Sequence, residues 1–129
     1  SAPFDVRLPE QGKSDEESRN VVQPDLTVIC DPSRLKGTGY FGVPELIVEI
    51  KSPSSAKMDK IIKLGKYEEA GVKEYWIVEP GDKTVTVFTL QDNSQYGRPQ
   101  IYSEADHIIS SAFPDLKINL NQVFARVES

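Results

Sequence analysis

The chain has one cysteine, Cys30, so it holds no internal disulfide framework and no cysteine-rich zinc site. It has one histidine, His107, and no nucleophile motif surrounds it. Serine–histidine and cysteine–histidine catalysis are therefore poorly served, and a metal site must rest on oxygen ligands, which select hard cations such as magnesium, manganese or calcium. No apolar run approaches the 18 or more residues of a membrane span. The first residues, Ser1 to Asp5, lack the basic-then-apolar pattern of a signal peptide. A single thiol fits a reducing compartment, so a cytoplasmic protein is expected.

An excess of positive charge is also lacking. The 129 residues carry 15 Lys and Arg against 20 Asp and Glu, a formal net charge of -5. That balance argues against a purely electrostatic nucleic-acid binder. The charge is nevertheless uneven, with Lys51, Lys57, Lys60, Lys63 and Lys66 standing against Asp59 alone in residues 51–66. Hydrophobic residues at 38% and a length of 129 suit a single domain over residues 1–129.

Alternation of apolar and polar residues predicts a strand over 4–8, then a polar loop over 9–20 with the acidic cluster Asp15, Glu16 and Glu17. A second strand is expected over 21–29, interrupted by Pro24, then a turn at 31–33 and a flexible loop at 36–39. Residues 44–50 read as the most apolar and most central strand. Ser52 to Ser55 stop it and offer a cap for a helix ending at Gly71. Met58, Ile61, Ile62 and Gly65 fall at helical spacing and predict the apolar face. Strands over 73–78 and 84–90, short strands near 100–103 and 107–109, and a short final helix at Val123 and Phe124 complete the reading. Strand, helix, strand over 44–78 is a βαβ unit, so the domain is mixed α/β or α+β.

In the strand at 44–50, Glu49 and Lys51 share a face, and Leu46, Val48 and Ile50 face the core. The strand at 25–29 is the natural neighbour, with Asp25 at its start. In a suitable register, Asp25 and Glu49 converge with Lys51 beside them. Two carboxylates with a backbone carbonyl form a hard-cation site, and a nearby lysine stabilises charge on a phosphate. The rival reading is a cross-strand ion pair on a solvated face. For Lys63 the plain reading is an i,i+4 pair with Asp59. Tyr67, Tyr75 and Trp76 read as packing groups, Lys57, Lys60 and Lys66 as a solvated face, His107 as a surface residue and Cys30 as a small buried hydrophobe.

Pro24-Asp25 followed by Glu49-Ile50-Lys51 resembles the PD-(D/E)XK nuclease superfamily. The longer stretches Gln23 to Leu26, Gly42 to Ile50, Ser52 to Ser54 and Ala70 to Val78 resemble the Uma-two family of restriction-endonuclease-like proteins. The resemblance covers about Phe4 to Phe124. It implies a restriction-endonuclease-like mixed β-sheet core with one main helix and divalent-metal hydrolysis of phosphodiesters, with Mg²⁺ or Mn²⁺ as cofactor and nucleic acid, DNA foremost, as substrate. Asp25 and Glu49 match the motif acids, Ile50 would lend its carbonyl to the metal, and Lys51 matches the motif lysine. Many members carry an apolar residue at the position of Lys51, and a helical lysine substitutes; Lys63 stands there. The family's N-terminal helical segment, which supplies a further acid, is absent before Phe4, so the domain reads as truncated and a homodimer is expected to cover the open face and the late sheet edge. A catalytically inactive nuclease-fold module binding nucleic acid or protein is the alternative.

Overall fold

The computed structural model describes residues 5–9, 21–37, 39–51, 57–115, 117–121 and 124. Residues 10–20 of the loop expected at 9–20, the cap at Ser52 to Ser55 and Val123 lie outside the described residues. The fold is mixed α+β, built on a five-stranded sheet and a four-stranded one.

The N-terminal strands are β1 (Asp5–Arg7), β2 (Val21–Val22), β3 (Leu26–Val28), β4 (Leu35–Lys36) and β5 (Gly39–Phe41). They are followed by β6 (Leu46–Ile50), α1 (Lys57–Ala70), β7 (Glu74–Glu79) and β8 (Thr84–Thr89). The chain continues through β9 (Gln100–Ser103), β10 (His107–Ile109) and β11 (Lys117–Asn119). The central sheet has the order β3-β6-β7-β8-β9, and the smaller sheet β2-β1-β5-β4. β6 and β7 run parallel, as a βαβ unit requires, and β3 pairs antiparallel with β6, Leu26 opposite Val48.

β6 and β7 are almost wholly buried because apolar layers cover both faces of the central sheet. On one face Ile47, Tyr75 and Ile77 pack with Tyr67 of α1, with Val6, Val22 and Tyr40 of the smaller sheet and with Leu8 just after β1. On the other, Leu46, Val48, Trp76, Val78, Val85 and Val87 pack with Ile108, Leu120 and Phe124. Gly71 ends α1 at φ +88°, a left-handed conformation that costs glycine little, with its N–H donating to the carbonyl of Tyr67 at 3.1 Å. No described helix is long and apolar enough to cross a membrane.

The expected apolar face of α1 is corrected. Met58, Ile61 and Ile62 are 64%, 55% and 50% exposed. Lys60, Lys63, Leu64 and Tyr67 turn toward the sheet instead. The sheet beneath carries Glu49 and Glu79, which the helix meets with Lys63 and Lys60. Half-exposing three aliphatic side chains forgoes about 1 kcal/mol each, whereas one buried carboxylate stripped of its partner costs about 3–5 kcal/mol. Burying the Tyr67 ring adds to the same side of the balance.

Four smaller expectations also change. Ile50 is 46% exposed, because β6 runs out of cover at its last residue. Cys30 is exposed, beyond the end of edge strand β3, its N–H bonded to the Glu45 carboxylate at 2.8 Å. Lys60 is half-buried and pairs with Glu79 at 3.3 Å. The expected loop at 36–39 contributes to a β4–β5 pairing that turns at Gly37, φ +58°. The strand at 117–119, which pairs with β10, has no counterpart in the sequence reading.

Glu74 ties the last segments to the sheet. It is 1% exposed and accepts from Trp76 Nε1 at 2.6 Å, Ser110 Oγ at 2.9 Å and the Ala112 N–H at 3.0 Å. Removing the carboxylate strands three donors. Glu74→Ala is expected to cost about 3 kcal/mol, and Glu74→Gln, which keeps an acceptor, clearly less. Urea unfolding checks this, and an Ala cost below about 1 kcal/mol would contradict the buried-acceptor role.

Candidate active site

Side-chain alternation puts Ile47, Glu49 and Lys51 on the α1 face of the central sheet. The Lys51 N–H donates to the Val78 carbonyl at 2.8 Å, so the β6–β7 ladder extends past Ile50 and holds Lys51 beside Glu49. β7 places Tyr75 opposite Ile47. On α1, Asp59, Lys63 and Tyr67 recur at every fourth residue and form one stripe over the same strand end.

These elements enclose the Glu49 carboxylate, which is 1% exposed. Its Oε1 accepts from the Tyr67 hydroxyl at 2.8 Å and faces Lys63 Nζ at 3.6 Å. Its Oε2 accepts from the Tyr75 hydroxyl at 3.1 Å and faces Lys51 Nζ at 3.3 Å. Asp59 Oδ2 stands 3.5 Å from Lys51 Nζ and 3.8 Å from Lys63 Nζ. Two carboxylates and two ammonium groups thus form a neutral cluster. The lysine side chains are 12% and 27% exposed and lie on its outer side, whereas both tyrosines are fully buried.

Asp25 is exposed at the start of β3, and its Oδ2 accepts from the Ile50 N–H at 2.7 Å. Continuing the Leu26–Val48 register by one residue sets Asp25 opposite Glu49. The structure therefore brings Asp25, Glu49, Ile50 and Lys51 to one strand end, with Lys63 reaching in from the helix. His107 and Cys30 are exposed and elsewhere in the fold. Among the described residues, no three acidic, histidine or cysteine side chains gather into a cage for a metal ion.

Sequence reasoning missed Tyr67 and Tyr75 as partners of Glu49, and Asp59 as a partner of Lys51. The spacing of four from Lys63 to Tyr67 was the available signal; nothing local marked Tyr75.

Burial pushes the Lys51 ammonium down, but the Glu49 and Asp59 carboxylates outweigh that and hold its pKa above the usual lysine value. Burial, then the Glu49 charge, raises both Tyr67 and Tyr75 well above 10.0. Burial and Glu68 do the same to Tyr96.

The chain matches, over residues 4–121, the Uma-two family, whose description is "Putative restriction endonuclease". It is 28% identical over 80 residues to an uncharacterized protein of Synechocystis, covering 61% of this chain and 42% of that one. Its fold resembles the crystal structure of a putative nuclease from Anabaena variabilis, with a TM-score of 0.65 and 18% identity, covering 81% of this chain and 60% of that one. The chain thus spans less than half of the Synechocystis protein and three fifths of the Anabaena one, and at this identity the second likeness is one of fold.

The raised tyrosine values have a consequence for alkaline stability. Unfolded tyrosines ionise near 10, before the folded ones do. The stability these groups contribute is complete below pH 10 and is lost as pH rises toward the folded values. Urea unfolding is expected to show stability falling between pH 10 and pH 11, with a shallower fall in a Tyr67→Phe, Tyr75→Phe variant. An equal slope in the two proteins would contradict the buried-hydroxyl geometry.

Proposed function

The chain belongs to the Uma-two family of putative restriction endonucleases, and from that premise we propose that it is the core of a cytoplasmic, divalent-cation-dependent phosphodiesterase acting on nucleic acid, DNA foremost. One observation carries the reading: a buried carboxylate flanked by lysine ammonium groups at 3.3 and 3.6 Å, with a second carboxylate bonded to the next peptide N–H.

The donors present suit the implied cation in kind. Asp25, Glu49 and the Ile50 carbonyl are hard oxygen ligands, and Mg²⁺ commonly binds one or two carboxylates while water and a substrate phosphate complete its shell. Asp25 Oδ1 makes no hydrogen bond among the described residues. Held there, Mg²⁺ or Mn²⁺ would supply charge neutralisation at the phosphate and would make a water more acidic.

The chain's own groups do the rest. Lys51, less exposed and closer to Glu49 than Lys63, is the ammonium that meets the phosphate oxygen as charge develops. Lys63 holds Oε1, and Asp59 restrains both ammonium groups. The acidic balance of the whole chain means that binding of the polyanion depends on this local basic segment.

A specific observation supports a second reading. Each Glu49 oxygen already has a tyrosine donor and a facing ammonium, so the carboxylate is compensated as it stands. That is also the state of a nuclease fold that binds nucleic acid or protein without cutting.

We also propose a homodimer through the outer edge of β9. Among the described residues nothing pairs with that edge, and Ile101 upon it is 70% exposed.

Cleavage of labelled duplex and single-stranded DNA and RNA with Mg²⁺ or Mn²⁺ tests the activity. Glu49→Gln is expected to lower the rate at least about 100-fold, Lys51→Ala by about 100-fold, and Lys63→Ala by much less. The reverse lysine order assigns the phosphate contact to Lys63. Retained DNA binding without cleavage by the parent selects the second reading. Sedimentation equilibrium is expected to give twice the 14.4 kDa chain mass, and a constant monomer mass from micromolar to millimolar would sink the dimer.

A further inference from the structure

We infer that Tyr67 and Tyr75 are positioning residues of this site, fixing the orientation in which Glu49 presents its oxygens. The cation-binding consequence rests on the function proposed above; the conformational consequence does not.

The two hydroxyls come from different elements, α1 and β7, and each donates to a different oxygen of one carboxylate, at 2.8 and 3.1 Å. Both rings are 0% exposed. They pack against one another with centroids 4.7 Å apart and planes at 60°, and Tyr75 stacks on Phe88 at 5.9 Å. A tyrosine ring has two side-chain torsions, and here packing sets both. The hydroxyls are therefore fixed points.

Glu49 has three torsions and depends on its partners for a defined orientation. The lysines cannot supply it, because they are longer, flexible and partly exposed. Each carboxylate oxygen offers two lone pairs. A tyrosine occupies one on the buried side, which leaves the other for the outer side where the lysines stand. Any ligand or phosphate approaching from that side meets a carboxylate whose angle is already set.

Packing alone does not explain the two hydroxyls. Phenylalanine would fill nearly the same space without placing a hydroxyl in the interior that demands an acceptor. Two such hydroxyls converging on one charged group, while the partly buried Tyr96 donates to the Val72 carbonyl instead, mark the pair as directed at Glu49. Both hydroxyls keep their protons through neutral pH, so they remain donors wherever the site works.

The test compares Tyr67→Phe, Tyr75→Phe, the double variant and a Tyr96→Phe control. In the cation-free protein, three-bond NMR couplings report the Glu49 side-chain rotamer. One rotamer is expected in the parent and in Tyr96→Phe, partial averaging in each single variant, and full averaging in the double. Calorimetric titration with Mn²⁺ is the second arm. Supporting groups around a ligand are commonly worth about 10–100-fold in affinity, so each single variant is expected to weaken binding about tenfold and the double up to about 100-fold. In DNA cleavage the loss should fall on kcat, with KM within twofold of the parent.

A merely structural role would lower Tm in all four variants alike and leave the Glu49 rotamer in place. A single Glu49 rotamer in a folded double variant overturns the inference, as does Mn²⁺ affinity within twofold of the parent. Should the double variant fail to fold, the two single variants carry the same comparison. A parent that binds no Mn²⁺ and cuts nothing removes the proposed function, while the rotamer measurement still decides the positioning role.

Discussion

A carboxylate on a central strand, closed off from water at 1% exposure, dictates the arrangement around it. Glu49 sits on the face of β6 that α1 covers, so the helix must bring compensation. It does so with a stripe of Asp59, Lys63 and Tyr67, while Met58, Ile61 and Ile62 turn outward to water. β7 adds Tyr75, and the strand itself adds Lys51. Remove the carboxylate and the rotation of α1 keeps only the Lys60–Glu79 pair as an electrostatic reason; remove the helix lysine and tyrosine and Glu49 loses half its partners. A buried charge is tolerated when it is both paired and hydrogen-bonded. This one has two hydroxyl donors and two ammonium neighbours, with Asp59 balancing the second ammonium.

The central sheet carries a second buried carboxylate, and the contrast locates the adjustable chemistry. Glu74 is as buried as Glu49, but its recorded donors are an indole N–H, a hydroxyl and a backbone N–H. None of those is a mobile cation, and the Glu74 site tethers the segment around Ser110 and Ala112. At Glu49 the inner donors are rigid tyrosines and the outer ones are lysines on flexible stems. On the function proposed above, a cation entering at Glu49 would take the place of an ammonium, which would then be free to meet a phosphate oxygen.

Much of this was legible in the residue order. The apolar run of β6, the helix after it and the aromatic strand β7 gave the βαβ unit, and Glu49 and Lys51 at i,i+2 had to share a face. The rule that failed was the inward apolar stripe on α1. It assumes that the surface beneath is apolar, and here Glu49 and Glu79 made it polar. The β4–β5 pairing was hidden because Lys36 to Gly39 has turn composition and the paired runs are two and three residues long. Cys30 was misplaced because average burial of cysteine says nothing of the end of an edge strand. Tyr75 as a Glu49 partner depends on the parallel register of β6 with β7, which pattern alone does not set.

The account stands most directly on whether a divalent cation enters at Glu49. Mg²⁺ titration of isotopically labelled protein, followed at the side-chain carboxylate carbons and the lysine Nζ signals, addresses it. The account predicts that the Glu49 and Asp25 carboxylate signals and one of the Lys51 and Lys63 signals move together along one saturable isotherm, while Glu74 stays still. Phosphodiester cleavage under conditions where Mg²⁺ leaves Glu49 and both lysines unmoved would contradict it.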